Sequence, residues 1–206
     1  MQLSNKIYIW LIALACLVSF FSSFGSKLNL IEPFFFNKFL ISFNQIQFYD
    51  FKTTYLIGNE WWRLITPMFI HFSPTHLIFN CLWIYILGRE IEQLDGKIIF
   101  IFLILFASIS SNYLQYSFSG PSLFGGLSGV VYGLLGYCFV SETFLRINKY
   151  SFPPAIYIFM FVWLLIGFTG FLDLLGFGKI ANFAHLGGLL SGILSGYIFS
   201  MYNKKT

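Results

Sequence analysis

Charged residues are scarce in this 206-residue chain, and their scarcity excludes most classes of soluble protein. Only 10% of the residues are Asp, Glu, Lys or Arg, whereas soluble domains carry roughly 25%. In their place 57% of the residues are hydrophobic, and they include 28 Phe, 12 Tyr and 5 Trp. This composition requires burial of apolar surface in lipid, so we predict a membrane protein and exclude intrinsic disorder.

Cysteines and clustered basic residues are also scarce. The three cysteines, Cys16, Cys81 and Cys138, lie inside apolar runs, where a thiol behaves as a small hydrophobic group. This placement excludes a secreted disulfide scaffold and indicates no zinc site. The net charge of +4 comes from single Lys and Arg residues between apolar stretches, unlike the basic patch of a nucleic-acid-binding protein. We therefore expect no nucleic-acid partner.

Long apolar runs dominate what remains. A helix needs about 20 apolar residues to cross a bilayer, and such runs predict an all-α membrane bundle of six spans, at residues 7–24, 75–93, 97–115, 127–144, 154–173 and 182–201. We predict a single membrane domain over residues 1–206, with no separate cytosolic domain. One alternative remains for the first run: Lys6 precedes it, as in a cleaved signal peptide, although no clear cleavage site follows.

The long loop 25–74 and the placement of Lys and Arg predict the orientation. The loop is too aromatic for a solvated linker and is interrupted by Pro33, so we expect it to lie in the membrane interface. A cytoplasmic N-terminus places seven basic residues inside and five outside, which agrees with the positive-inside rule. The inner set is Lys6, Arg89, Lys97, Arg146, Lys149, Lys204 and Lys205, and the outer set is Lys27, Lys38, Lys52, Arg63 and Lys179.

Polar residues gather where spans two, four and six begin, and these starts lie on one side of the membrane. They are His71, His76 and Asn80 in span two, the glycine-flanked Ser128 in span four, and Asn182 and His185 in span six. Each has an ordinary explanation: a lone serine bonds to its own helix, and His76 with Asn80 can bond between helices. An intramembrane histidine is nevertheless costly and typical of a functional site. We disfavour a metal site, because no Asp, Glu or Cys lies beside the histidines.

Glycines indicate how the polar residues could meet. Gly188, Gly192 and Gly196 give span six a smooth face, and Gly129, Gly133 and Gly136 do the same for span four. Such faces permit close backbone approach, which would bring Ser128 to His185, although ordinary membrane-helix packing produces the same pattern.

Several motifs occur together in order. They are Trp62-Arg63, His71 with His76 and Asn80, Phe118-Ser119-Gly120-Pro121 ahead of Gly126-Leu127-Ser128-Gly129, and Ala184-His185 with Gly188 and Gly192. In this combination the chain resembles the rhomboid family of intramembrane serine proteases, most of all its bacterial GlpG branch, over about residues 60–200. The segment between span five and His185 departs from the GlpG pattern, so we assign no gate residues in span five.

The resemblance implies an activity and a role for each matched residue. Ser128 would be the nucleophile and His185 its general base, with the Ser128 N–H, His76 and Asn80 holding the oxyanion. Tyr132 would pack on the imidazole, Arg63 would brace the first loop, and Glu92 would lie at the inner end of span two. Phe79 and Trp83 would line a side gate through which substrate enters. The remaining supporting residues are His71, Gly126, Gly129, Gly188 and Gly192.

The same resemblance implies the setting. The partners would be transmembrane protein substrates within the lipid bilayer, cut after a small residue, with no cofactor and no metal. The chain would lie in a bacterial inner (plasma) membrane. The placement of Lys and Arg and the even number of spans predict that both termini are cytoplasmic and that the active site opens to the extracytoplasmic side.

The residues themselves support a dyad. Imidazole suits proton removal from a serine hydroxyl near neutral pH, and a carboxylate usually orients it. Here Glu142 lies fourteen residues after Ser128, about 21 Å along a helix, and Asp173 lies at the end of span five. No carboxylate is therefore placed to orient His185, and we predict a dyad.

Two alternative functions remain. One is an inactive rhomboid-like binder of membrane segments, and the other is a channel or transporter, which would need a polar path to the inner face.

Overall fold

The apolar runs fold into helices close to their predicted positions. A computed structural model describes residues 6–43, 45–144, 149–171 and 180–203. Its helices are α1 Ile7–Phe21, α2 Leu28–Ile31, α3 Pro74–Trp83, α4 Arg89–Leu94, α5 Lys97–Ser119, α6 Ser128–Phe139, α7 Pro154–Gly167 and α8 Asn182–Asn203. The π-helical turns Ile84–Gly88 and Val140–Phe144 extend the chain beyond α3 and α6.

Specific caps determine where helices begin. At α3, Pro74 occupies the first turn, and the Ser73 hydroxyl accepts a hydrogen bond from the His76 N–H at 3.2 Å. At α1, the Glu92 carboxylate accepts the N–H groups of Ile7 and Tyr8, each at 3.0 Å. A negative charge at a helix N-terminus is favourable, so Glu92 joins α4 to the start of α1.

Membrane-crossing length differs among these helices. Within the described ranges, α5 is the one helix that is long and apolar enough to cross a membrane by length and composition, while α1 and α7 are shorter apolar helices. The six-span count therefore stays a prediction. Four basic residues used to predict the topology lie outside the described residues, namely Arg146, Lys179, Lys204 and Lys205, and so does Asp173, the carboxylate at the predicted end of span five.

The long first loop is a folded layer with a hairpin that the sequence analysis did not predict. Strands β1 Phe39–Ser42 and β2 Gln45–Phe48 pair antiparallel, with Phe39 opposite Phe48. Four residues per strand are too few for an alternating pattern to stand out from the aromatic composition of the loop. Phe35 and Phe36 are fully buried, whereas Phe43, at the hairpin end, is 99% exposed.

Helices α5, α6 and α8 form the centre of the bundle, and glycine brings α6 and α8 into backbone contact. A Cβ built on Gly192 would overlap the Gly133 carbonyl oxygen and lie 2.7 Å from its carbonyl carbon. A Cβ on Gly188 would overlap the Gly129 carbonyl in the same way. This contact places the first turns of α6 and α8 side by side, and these turns carry Ser128 and His185.

Candidate active site

The described part of the chain contains a cavity of about 240 Å³ beside the first turns of α3, α6 and α8. Seven residues singled out in the sequence line it: His76, Phe79, Asn80, Trp83, Ser128, Tyr132 and His185. Others that the sequence analysis did not single out also line it, among them Phe72, Met160 and Trp163. The cavity thus combines a few polar groups with an aromatic wall, a composition typical of ligand sites.

Ser128 and His185 are in direct contact in this cavity. The Ser128 Oγ lies 2.8 Å from the His185 Nε2, a normal hydrogen-bond distance. The His185 side chain is 5% exposed, and its Nδ1 has no hydrogen-bond partner among the described residues. For Nε2 to accept the hydroxyl proton, Nδ1 must carry the proton of the neutral ring. The pair has the geometry of a nucleophile and its base, with no described carboxylate bonded to the ring.

Hydrogen-bond donors lie next to the serine. The Asn80 side chain is 2% exposed, and its Nδ2 has no partner in the described ranges. Gly126 has φ +121°, and a Cβ there would lie 2.8 Å from the His76 Nε2 and 3.6 Å from the Asn80 Nδ2. Glycine therefore lets the backbone pass beneath both side chains. The Ser128 N–H lies at the start of α6, where amide groups and the helix dipole favour negative charge.

Tyr132 supports the imidazole from one turn further along α6. Its ring stacks on the His185 ring, with centroids 4.7 Å apart and planes 26° apart. Its hydroxyl donates to the Met160 carbonyl oxygen of α7 at 2.9 Å. One buried side chain therefore contacts both the histidine and a neighbouring helix.

His71 lies behind the cavity rather than in its lining. It is fully buried, and its Nε2 accepts a hydrogen bond from the Leu127 N–H at 3.4 Å. Its Nδ1 lies 3.3 Å from the Phe69 carbonyl oxygen and 3.4 Å from the Ser19 Oγ. The ring thereby holds the backbone just before Ser128, a position that its place in the sequence did not reveal.

Arg63 and Glu92 also lie away from the cavity. Arg63 is 1% exposed, contacts both Glu32 and Glu60, and donates to the Phe35 carbonyl oxygen at 3.1 Å. Burial alone would raise the pKa of Glu60, but hydrogen bonds from Lys38 and Arg63 outweigh it and hold the pKa below its usual range. Arg63 thus ties parts of the first loop together, while Glu92 caps α1.

Aromatic contacts close the wall between α3 and α7. Phe79 stacks on Trp163 with ring centroids 5.5 Å apart, and Trp83 stacks on Phe159 at 6.4 Å. No residue of span five was predicted from the sequence to lie here. Phe159 and Trp163 are four residues apart and so share a helix face, which is the signal that could have found them. Asn182 also lies elsewhere than expected: its Nδ2 donates to the Gly167 carbonyl oxygen at 2.8 Å.

Comparison with known proteins identifies the family. The model of the rhomboid domain matches residues 58–202. The chain belongs to the rhomboid family. It is therefore an integral membrane protein with an all-α bundle, as the sequence analysis predicted. The cavity that contains Ser128 and His185 lies within the matched residues.

Three curated relatives, each called rhomboid protease GlpG, show the degree of similarity. The chain is 39% identical to that of Serratia proteamaculans over 136 residues, covering 66% of this chain and 47% of the relative. It is 36% identical to that of Haemophilus influenzae over 149 residues, covering 72% of this chain and 74% of the relative. It is 34% identical to a Klebsiella pneumoniae relative over 146 residues, covering 71% of this chain and 51% of the relative. The chain thus spans about half the length of the Serratia and Klebsiella proteins.

Proposed function

We propose that the protein is an intramembrane serine endopeptidase that cleaves transmembrane segments of other membrane proteins. The observation that carries the proposal is the 2.8 Å contact between the Ser128 Oγ and the His185 Nε2 at a cavity. The printed names of the relatives support the same activity, since each is a rhomboid protease.

Ser128 and His185 carry the covalent steps. The Ser128 Oγ attacks the scissile carbonyl carbon while His185 Nε2 takes the hydroxyl proton, and the carbonyl π electrons move onto oxygen. The imidazolium then returns that proton to the leaving amine as the C–N bond breaks, which leaves an acyl-enzyme. In the second half, His185 takes a proton from water, the hydroxide attacks the acyl carbon, and Ser128 leaves with the proton.

The developing oxyanion is stabilised by groups that need little rearrangement. The Ser128 N–H, the Asn80 Nδ2 and the His76 ring surround the start of α6, and Asn80 Nδ2 has no other partner among the described residues. Preorganised donors of this kind are typically worth about 10²–10³ in rate each. Tyr132 and the Gly188 and Gly192 contacts then act on geometry, because they hold α8 and its imidazole against α6.

The topology completes the proposal. Both termini lie in the cytoplasm of a bacterial inner membrane, six spans cross it, and the cavity opens to the extracytoplasmic side. The interfacial loop 25–74 covers that side, and Phe79 and Trp83 belong to the wall through which a transmembrane substrate reaches Ser128. The cleavage needs no cofactor or metal.

Comparing membrane proteomes tests this function. Cells that express the protein should release extracytoplasmic fragments of membrane proteins, and cells that express Ser128→Ala at equal levels should not. Identical fragment sets in the two strains would contradict the proposal.

A further inference from the structure

In the described part of the chain, three hydrogen bonds join helix α7 to neighbouring elements, one near each end and one in the middle. Near its start, the Tyr157 hydroxyl donates to the Glu142 carboxylate. At its end, the Gly167 carbonyl oxygen accepts from the Asn182 Nδ2 at 2.8 Å. Between them, the Met160 carbonyl oxygen accepts the Tyr132 hydroxyl at 2.9 Å. The middle contact reaches Tyr132, whose ring stacks on His185.

The middle contact is unusual because it uses a backbone carbonyl inside a helix. A carbonyl oxygen has two lone pairs, so Met160 can accept the hydroxyl without losing its helical hydrogen bond. The hydrogen bond therefore depends on the position of the α7 backbone and not on the Met160 side chain. Tyr132 is 1% exposed, and a buried hydroxyl without a partner is costly. The tyrosine ring is thus held against α7.

The other side of the same ring holds the base. The stack of Tyr132 on His185, at 4.7 Å between centroids, leaves the imidazole little freedom to turn. The His185 imidazole has no hydrogen bond besides that to Ser128 in the described ranges, because its Nδ1 is unpartnered there. The ring that orients His185 is therefore itself oriented by α7.

We propose that the Tyr132 hydroxyl couples the position of α7 to the orientation of the catalytic imidazole, so that His185 is fully aligned with Ser128 when α7 stands against Tyr132. Tyr132 is then a positioning residue: its hydroxyl contacts α7 and its ring contacts His185. Displacement of α7 therefore misaligns the imidazole through Tyr132, with no direct contact between the displaced backbone and His185. The inference rests on the proposed function and adds a residue contact to it.

A matched pair of hydroxyl deletions separates coupling from simple support of the helix. Tyr132→Phe keeps the stack on His185 and loses the bond to Met160, whereas Tyr157→Phe loses a bond from the same helix that lies away from the imidazole. The probe is a fluorophosphonate that labels Ser128 in the full chain in lipid bilayers. We expect Tyr132→Phe to lower the maximal labelling rate by roughly 2- to 10-fold with little change in probe affinity. Tyr157→Phe should keep the maximal rate.

A double-mutant cycle then tests the coupling itself. Leu164 is 4% exposed on α7, one turn beyond Met160, so Leu164→Phe should push the helix outward by overpacking. It should lower the maximal rate when Tyr132 is present and add no further loss in Tyr132→Phe, because the connection is already cut. Independent, multiplicative losses would overturn the proposal.

Two further outcomes are decisive. A normal maximal rate in Tyr132→Phe, or an equal loss in Tyr157→Phe, would overturn the coupling, and this comparison stands even if Leu164→Phe fails to fold. Absence of Ser128 labelling in the unmodified protein would instead contradict the proposed function. The two failures are therefore distinguishable.

Discussion

Replacing Gly192 by valine tests whether the contact between α6 and α8 positions the active site. A Cβ at Gly192 would lie 2.7 Å from the Gly133 carbonyl carbon and 2.9 Å from its Cα. Carbon atoms pack best at about 3.5–4.0 Å, so the two backbones must separate by ~1 Å or more. The obstacle is backbone on both sides, so a rotamer change cannot relieve the overlap.

The expected loss follows from the position of this contact. Gly192 lies seven residues after His185 on α8, and Gly133 lies five residues after Ser128 on α6. A separation of ~1 Å that reaches the active site would stretch the Ser128–His185 contact from 2.8 Å beyond the 3.2 Å limit of a good hydrogen bond. Because a misplacement of about 1 Å can cost about 10² in rate, we expect labelling of Ser128 by a fluorophosphonate to slow by about that factor.

The control is Leu194→Val, which places the same branched side chain on α8 at a position that is 51% exposed. It should label within about twofold of the unmodified protein, since surface substitutions usually have small effects. Gly192→Val should also unfold at a lower temperature in detergent, because overpacking costs about 1–3 kcal/mol. A normal labelling rate and a normal unfolding temperature in Gly192→Val would refute the packing argument.

Three further predictions concern the oxyanion, the first loop and the topology. Asn80→Ala should retain measurable cleavage at about 10²–10³ below the normal rate, because other donors remain, and a folded Asn80→Ala as inactive as Ser128→Ala would contradict this. Because the pKa of Glu60 is lowered from 4.5, its contribution to stability is present above that pH and is lost as the pH falls through the folded-state value. Glu60→Gln should therefore lower the unfolding temperature at pH 7 and make it less sensitive to acid below about pH 4.5, whereas an unchanged acid dependence would disprove the argument. A reporter fused after Thr206 should be active only if it functions in the cytoplasm, and alkaline phosphatase activity there would reverse the proposed orientation.

The positions of the helices were predictable because lipid imposes one strong rule on the sequence. Apolar runs near the bilayer thickness must form helices, since every backbone polar group has to be satisfied internally. Thus the predicted run 97–115 corresponds to α5 at Lys97–Ser119. The hairpin at Phe39–Phe48 follows no such rule. Its four-residue strands are stabilised by packing against Phe35 and by the contact between the Phe39 and Phe48 rings.

The site was predictable to the extent that its residues are rare in membrane helices. Histidine and serine near glycine stand out in an apolar chain. The parity of the spans predicted that Ser128 and His185 lie toward the same side of the membrane, and the glycine faces predicted that they could meet. The structure brings these two residues together. His71 looked equivalent in the sequence, but its exact neighbours depend on how the loop before α6 folds back, and it bonds the Leu127 N–H instead. Trp163 was missed because the four-residue spacing of Phe159 and Trp163, which places both rings on one helix face, does not stand out among the many aromatic residues of this span.

Covalent labelling of Ser128 tests the central claim, namely that His185 activates this hydroxyl. A fluorophosphonate should label the detergent-solubilised protein at Ser128 and at no other serine, because Ser128 combines a base at 2.8 Å with a position in the cavity lining. Ser19 also lies near a histidine, but it is fully buried outside that lining. Labelling should fall sharply in His185→Ala, because an unassisted hydroxyl is a poor nucleophile at neutral pH, and it should persist in EDTA. Labelling of another serine, or of Ser128 at the same rate in His185→Ala, would contradict the dyad and favour a rhomboid-like protein that binds membrane segments without cutting them.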